Sequence, residues 1–137
     1  MIRTKLMIGA ALFLTLQGCA LTPTIDPGAR KHVVDSIPTC TGAKECEIKW
    51  AAARMWVIDN VDMKIETYST DYIQTYNPPT DYGTELAAQV TKNPANDGTY
   101  QIKAHIWCNN VYVCESKALT SEQAFNDAVN SSYRPTP

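Results

Sequence analysis

From Tyr100 to Trp107 the chain alternates without a break. Tyr100, Ile102, Ala104 and Ile106 take one side, and Gln101, Lys103, His105 and Trp107 take the other. Period-two alternation of this kind is the geometry of a strand with one buried face. A lone strand cannot bury that face, so the stretch demands a sheet and a layer to cover it. Partner strands can be read upstream. Asp97-Gly98 is a strong hairpin turn, and Lys92 to Gly98, with Pro94, reads as the connection. Behind it Leu86, Ala88 and Val90 share one face of a third strand, opposed by Glu85, Ala87, Gln89 and Thr91. From Met63 the pattern alternates again, with Lys64, Glu66 and Tyr68 opposing Met63, Ile65 and Thr67. Ser69 to Asp71 breaks it, and Tyr72 to Tyr76 resumes as a second strand. Residues 77–83 read as a loop on turn chemistry alone.

Two helices frame these strands. Over Glu45 to Asn60, Ile48, Ala51, Ala52 and Met55 recur at helical spacing and Trp56 widens the stripe, while Lys49 and Arg54 face elsewhere. Glu45 and Glu47 suit the dipole of the first turn, and Trp50 and Trp56 read as core and rim. Thr120 with Gln123 three residues on forms a capping box. Ala124, Phe125, Ala128 and Val129 then make the buried stripe of a last helix closed by Pro135. The expected fold is α+β, an antiparallel four-stranded sheet flanked by an N-terminal and a C-terminal helix packed on one face. No internal repeat or heptad run is present.

The leader has its own physical logic. Arg3 and Lys5 precede an apolar run, Leu6 to Leu16, that is about half of the roughly 20 residues a spanning helix needs. It reads as a targeting segment rather than a stable anchor. Gly18 keeps the position before Cys19 small enough for a peptidase to approach the backbone. The order of charge, apolar run and Leu16-Gln17-Gly18-Cys19 resembles the lipobox of bacterial lipoproteins. The resemblance covers residues 1 to 19. It implies diacylglyceryl transfer to the Cys19 sulfur, cleavage before Cys19 and a third acyl chain on the new amino terminus. Several chains anchor stably where one binds reversibly, so the membrane is itself an expected partner. Ala20 stands where retention signals often carry Asp, which implies the periplasmic side of the outer membrane rather than the inner membrane. The expected organisation is a signal peptide over 1–18, a flexible tether over 19–38 and a single α+β domain over 39–137. Pro23, Pro27, Gly28 and Pro38 give the tether its character, although Val33-Val34 and Ile37 also suit a short edge strand.

With Cys19 lipidated, four cysteines remain, an even number in an oxidising compartment. Two disulfides are expected, and Cys40 to Cys46 and Cys108 to Cys114 are the favoured pairs because short loops close readily. Pairings that bridge the first cysteines to the last would close far longer loops. They would stabilise by roughly 4.5 kcal/mol each against roughly 2.4 kcal/mol for a short one, so they stay open. Zinc sites use closer cysteines, and the only histidines are His32 and His105. Neither pair has the Cys-x-x-Cys spacing of a redox catalyst. The cysteines read as staples, and no metal or cofactor is expected.

Loss of residues 1–18 would remove Arg3 and Lys5 from twelve basic residues, leaving ten against fourteen acidic. Such a chain has no electrostatic footprint for nucleic acid. Its length suits one domain with one core. No nucleophile elbow, P-loop or dinucleotide fingerprint occurs. His105 sits mid-strand, where a solvent-facing structural role is expected, and Asp59 and Asp62 read as a solvated turn. No catalytic residue is assigned and the chain is not expected to be an enzyme. If the helices cover the aliphatic face, the other face carries Lys103, His105 and Trp107, joined by Tyr68, Tyr72 and Tyr76 according to register. Aromatic and polar groups mixed in this way suit recognition of a protein or glycan, or they simply shield the sheet. The expectation is a small periplasm-facing envelope lipoprotein with a structural, accessory or protein-binding role toward an envelope partner. The alternative is an inhibitor or ligand-binding module, for example against a cell-wall hydrolase.

Overall fold

The computed structural model describes residues 25–79, 82–110 and 112–135. The leader, the lipobox and Cys19 lie outside the described residues. The elements run α1 (Pro27–Asp35), β1 (Thr39–Cys40), α2 (Gly42–Asn60), β2 (Ile65–Tyr68), β3 (Tyr72–Thr75), β4 (Ala87–Pro94), β5 (Tyr100–Trp107) and α3 (Cys114–Ser131). The strands form one antiparallel sheet in the order β1-β5-β4-β3-β2. The α+β class is as expected, with a fifth strand where four are expected. That strand is the two-residue β1, too short to leave a pattern. It is held in register on β5, Thr39 opposite Gln101 and Cys40 opposite Tyr100, with the Ile102 N–H donating to Pro38 O.

β5 occupies the residues its alternation predicts, and Ile102, Ala104 and Ile106 are buried. Tyr100, expected in the core, is exposed at the sheet end. β4 runs on to Pro94, where the missing N–H costs nothing. The N–H groups of even-numbered residues of β4 point toward β3, as the Lys92 N–H donating to Asp71 O shows, and β3 ends before Pro94. The turn to β5 has Gly98 at φ +82°, and Asp97 Oδ1 accepts from the Thr99 N–H and hydroxyl. Those bonds hold the Asp97 carboxyl below its ordinary pKa.

Both long helices cover the same face, and Phe125 and Val129 of α3 share one core with Ile73, Val90, Ile102 and Val57. The stripe of α2 differs from the sequence reading. Cys46, Lys49, Trp50, Ala53 and Val57 are buried, whereas Ala51 and Met55 are exposed. A helix with Ala, Ile, Met and Trp on every side lets the stripe be drawn one residue, or about 100°, off. Lys49, expected to face away, is only 8% exposed. Its ammonium donates to Thr39 O at 2.6 Å and meets Glu45 Oε1 at 2.8 Å, so it ties β1 to α2.

The Lys49 ammonium, together with the Thr41 N–H donating to its other oxygen, holds the Glu45 carboxyl below its ordinary pKa. A carboxyl lowered on folding stabilises above its unfolded pKa, and that contribution is lost as pH falls through the folded value. Acid below about pH 4.5 should therefore weaken the domain. Glu45→Gln should flatten this acid limb in urea unfolding followed across pH. An unchanged limb would mean that Glu45 is not responsible.

α3 starts at Cys114, six residues before the capping box expected at Thr120. Thr120 is mid-helix, with its hydroxyl on Ser116 O. The start is organised instead by Asn110, whose side-chain oxygen accepts from the Tyr112 and Val113 N–H groups. The stripe also includes polar members. Asn126 is buried, while Ala124, expected in the core, is exposed. The described part of the expected tether holds α1, begun by the Asp26 carboxylate accepting from the Gly28 N–H. Asn126 Nδ2 donates to Val33 O and the Ser36 hydroxyl, and Asn130 Nδ2 donates to Ser36 O, so α1 is docked on α3. Val33-Val34 are helical rather than an edge strand.

Two disulfides complete the frame. Cys40 bonds Cys46 and Cys108 bonds Cys114, with Cα separations of 5.0 and 5.4 Å. The first ties β1 to α2, the second ties the end of β5 to the start of α3.

Candidate binding surface

Residues opposite each other in a sheet share a face. Tyr72, Thr91 and Lys103 form one such row, Gln74, Gln89 and His105 the next, and Ala87 with Trp107 another. Their neighbours Ile73, Val90, Ala104 and Ile106 are buried under the helices, so these rows look away from them. Lys103, His105, Trp107 and Tyr72 are thus brought together. Tyr76 extends the same side of the pleat and is exposed, its N–H donating to Lys64 O.

Tyr68 is not with them. Ile65 pairs with Thr75 but Thr67 with Gln74, so Glu66 is an extra residue, and the bulge exchanges the faces taken by Thr67 and Tyr68. Tyr68 lies opposite the buried Ile73, on the helix side, with the Arg54 guanidinium 4.7 Å above its ring.

The outer rows are ordered internally. The Tyr72 hydroxyl bonds Gln74 Oε1 and accepts from Gln89 Nε2 at 2.7 Å. The His105 ring stacks on Trp107 at 5.4 Å with an 18° tilt. At the edge of β5 left open beyond β1, Glu122 Oε1 accepts the Ile106 N–H at 3.0 Å and stands 3.7 Å from His105 Nδ1. The adjoining cleft, about 470 Å³, contains Arg30, Trp107, Glu115 and Leu119. Its two sulfurs, from Cys108 and Cys114, are spent in their disulfide, and among the described residues no serine or threonine lines it. Among the described residues no three His, Cys, Asp or Glu side chains gather to hold a metal.

Trp107 is half-buried, not fully outward as expected, because two loops close on its end of the sheet. The Asn109 N–H donates to Gly83 O, Asn109 Nδ2 to Pro78 O and Asn110 Nδ2 to Tyr82 O. No family model, curated protein or solved structure matches the chain. Geometry alone therefore carries the site. The cross-linked loops lift Tyr82 and Tyr112 to 76% exposure each, with Val113 beside Tyr112 and Tyr76 at the sheet margin. Strand periodicity does not find these loop tyrosines. The signal that could have found them is composition. Tyr, Asn, Gly and Pro crowd into two loops, one pinned by a disulfide.

Proposed function

We propose that this chain is a small envelope lipoprotein, anchored through Cys19 at the periplasmic side of the outer membrane, with an accessory, protein-binding role. The outer sheet face and the tyrosine loops would grip its envelope partner. The observation that supports this most is that, among the described residues, no helix covers this face. α2 and α3 both lie on the other side, while Tyr72, Gln74, Gln89, His105 and Trp107 are held in place by one another. Side chains ordered before a partner arrives lose less freedom on binding, and exposed Tyr and Trp are the residue types that dominate interface energetics. In the cleft beside His105 both carboxylates have partners, Glu122 on the Ile106 N–H and Glu115 on Arg30.

A second reading, inhibition of an envelope hydrolase, is favoured by one observation. The Cys108–Cys114 loop is pinned at both ends and projects Tyr112 into solvent, the form suited to plugging a cleft.

Tyr112→Ala should leave unfolding within about 0.5 kcal/mol of wild type. It should weaken capture of a stoichiometric envelope protein about tenfold or more. Undiminished capture would remove the loops from the interface, and a captured hydrolase whose activity is blocked would select the second reading. Cys19→Ala should abolish fatty-acid labelling and release the protein from the membrane pellet. Continued labelling would overturn the anchor.

A further inference from the structure

A second depression, about 1080 Å³, opens on the helix side of the sheet at the end remote from the tyrosine loops. It lies between the first half of α2, the β2–β3 turn and the β4–β5 hairpin. Trp50 forms its base, buried and fixed by its indole N–H donating to Ser69 O at 3.1 Å. Tyr68 and Tyr100 line it at 47% and 41% exposure. The bulge at Glu66 is what brings Tyr68 to this side, and Tyr100 stands at the end of the β4–β5 ladder.

Three charged groups face the same space, Glu47, Asp71 and Lys92. Within the described residues none has an ion-pair partner. The Lys92 ammonium stands 5.3 Å from the centre of the Trp50 ring, and Asp71 spends one oxygen on the Ser69 hydroxyl. Aromatic walls with unspent donors and acceptors make a site of mixed character. The walls offer flat apolar contact, and the charged groups offer hydrogen bonds stronger than neutral ones. Two carboxylates and one ammonium line the groove and the Arg54 guanidinium stands over the Tyr68 ring, so charges of both signs balance and neither an anion nor a cation is favoured. A purely apolar ligand would strip water from three charges without returning a hydrogen bond. A ligand that satisfies both halves has apolar C–H faces and a rim of hydroxyls. The geometry points to a neutral oligosaccharide, its pyranose faces on Tyr68 and Tyr100 and its hydroxyls on Glu47, Asp71 and Lys92. The volume sits at the upper end of pockets that hold drug-sized ligands, room for more than one ring, and the groove is open so that a glycan chain can enter and leave.

The test is an NMR titration of the purified full chain with three uncharged trisaccharides, chitotriose, cellotriose and maltotriose, and with toluene as an uncharged apolar probe. At least one trisaccharide should give saturable shifts at the Trp50 indole and at Ser69 to Asp71. Tyr100→Ala and Glu47→Gln should each weaken it about tenfold, while Tyr100→Phe should retain it. Glu47 is exposed and outside the core, so Glu47→Gln decides the matter if Tyr100→Ala melts early. The proposal is overturned by the absence of shifts at millimolar sugar, by shifts confined to the His105–Trp107 face, by unchanged affinity in Glu47→Gln, or by toluene binding the groove more tightly than every sugar.

Discussion

Phe125→Ala should cost the domain about 3–5 kcal/mol, the upper range for truncating an aromatic core residue. Phe125 is fully buried where α3 meets both α2 and the sheet, and its ring stands edge-on to Trp56 at 5.4 Å. Truncation removes that aromatic pair and leaves a cavity that neither the sheet nor α2 can collapse into without moving the other. At about 4–8 °C per kcal/mol for a domain of this size the melting temperature should fall by well over 10 °C. Phe125→Leu should recover much of the loss. Denaturant unfolding of the two variants checks this, and a loss under about 1 kcal/mol in Phe125→Ala would show that the site is far more plastic than its packing implies.

Removing the Cys40–Cys46 disulfide by a double change to alanine should cost about 2–3 kcal/mol, the loop-entropy value for so short a link being near 2.4 kcal/mol. The loss should be local before it is global. β1 has only two residues on β5, and besides the disulfide it is tied to α2 by the Lys49 ammonium on Thr39 O. Amide exchange should speed up at Ile102, whose N–H depends on Pro38 O, while the β4–β5 ladder keeps its protection. Equal loss of protection in both places would mean that β1 and the ladder unfold as one unit.

Legibility in the sequence divides along physical lines. β5 is legible because Ile102, Ala104 and Ile106 are buried on one face while Gln101, Lys103 and His105 stay wet on the other, so its alternation is clean. The hairpin of β2 and β3 is legible, but the face of Tyr68 is not, because a bulge inserts one residue without altering local composition. α2 is legible as a helix but not in its rotation, since apolar residues stand on every side of it and present no single stripe. Lys49 and Asn126 are unreadable as buried groups. Their burial depends on carbonyls of Thr39 and Val33, which only the tertiary fold brings near. α1 is hidden by Pro27 and Gly28, which suggest a linker. Pro27 in fact suits the first helical turn, and the contacts that hold the helix come from α3.

Because Asn126 and Asn130 clamp α1 to α3, any covalent leash running back to Cys19 ends at Asp26 and not at Pro38. A chain spans at most about 3.3–3.6 Å per residue. The seven steps from Cys19 to Asp26 therefore reach roughly 25 Å at full stretch, where the nineteen to Pro38 would have reached roughly 65 Å. A lipid on Cys19 would then moor the domain close against the bilayer instead of letting it range through the periplasm. A partner would have to come to the membrane to be caught.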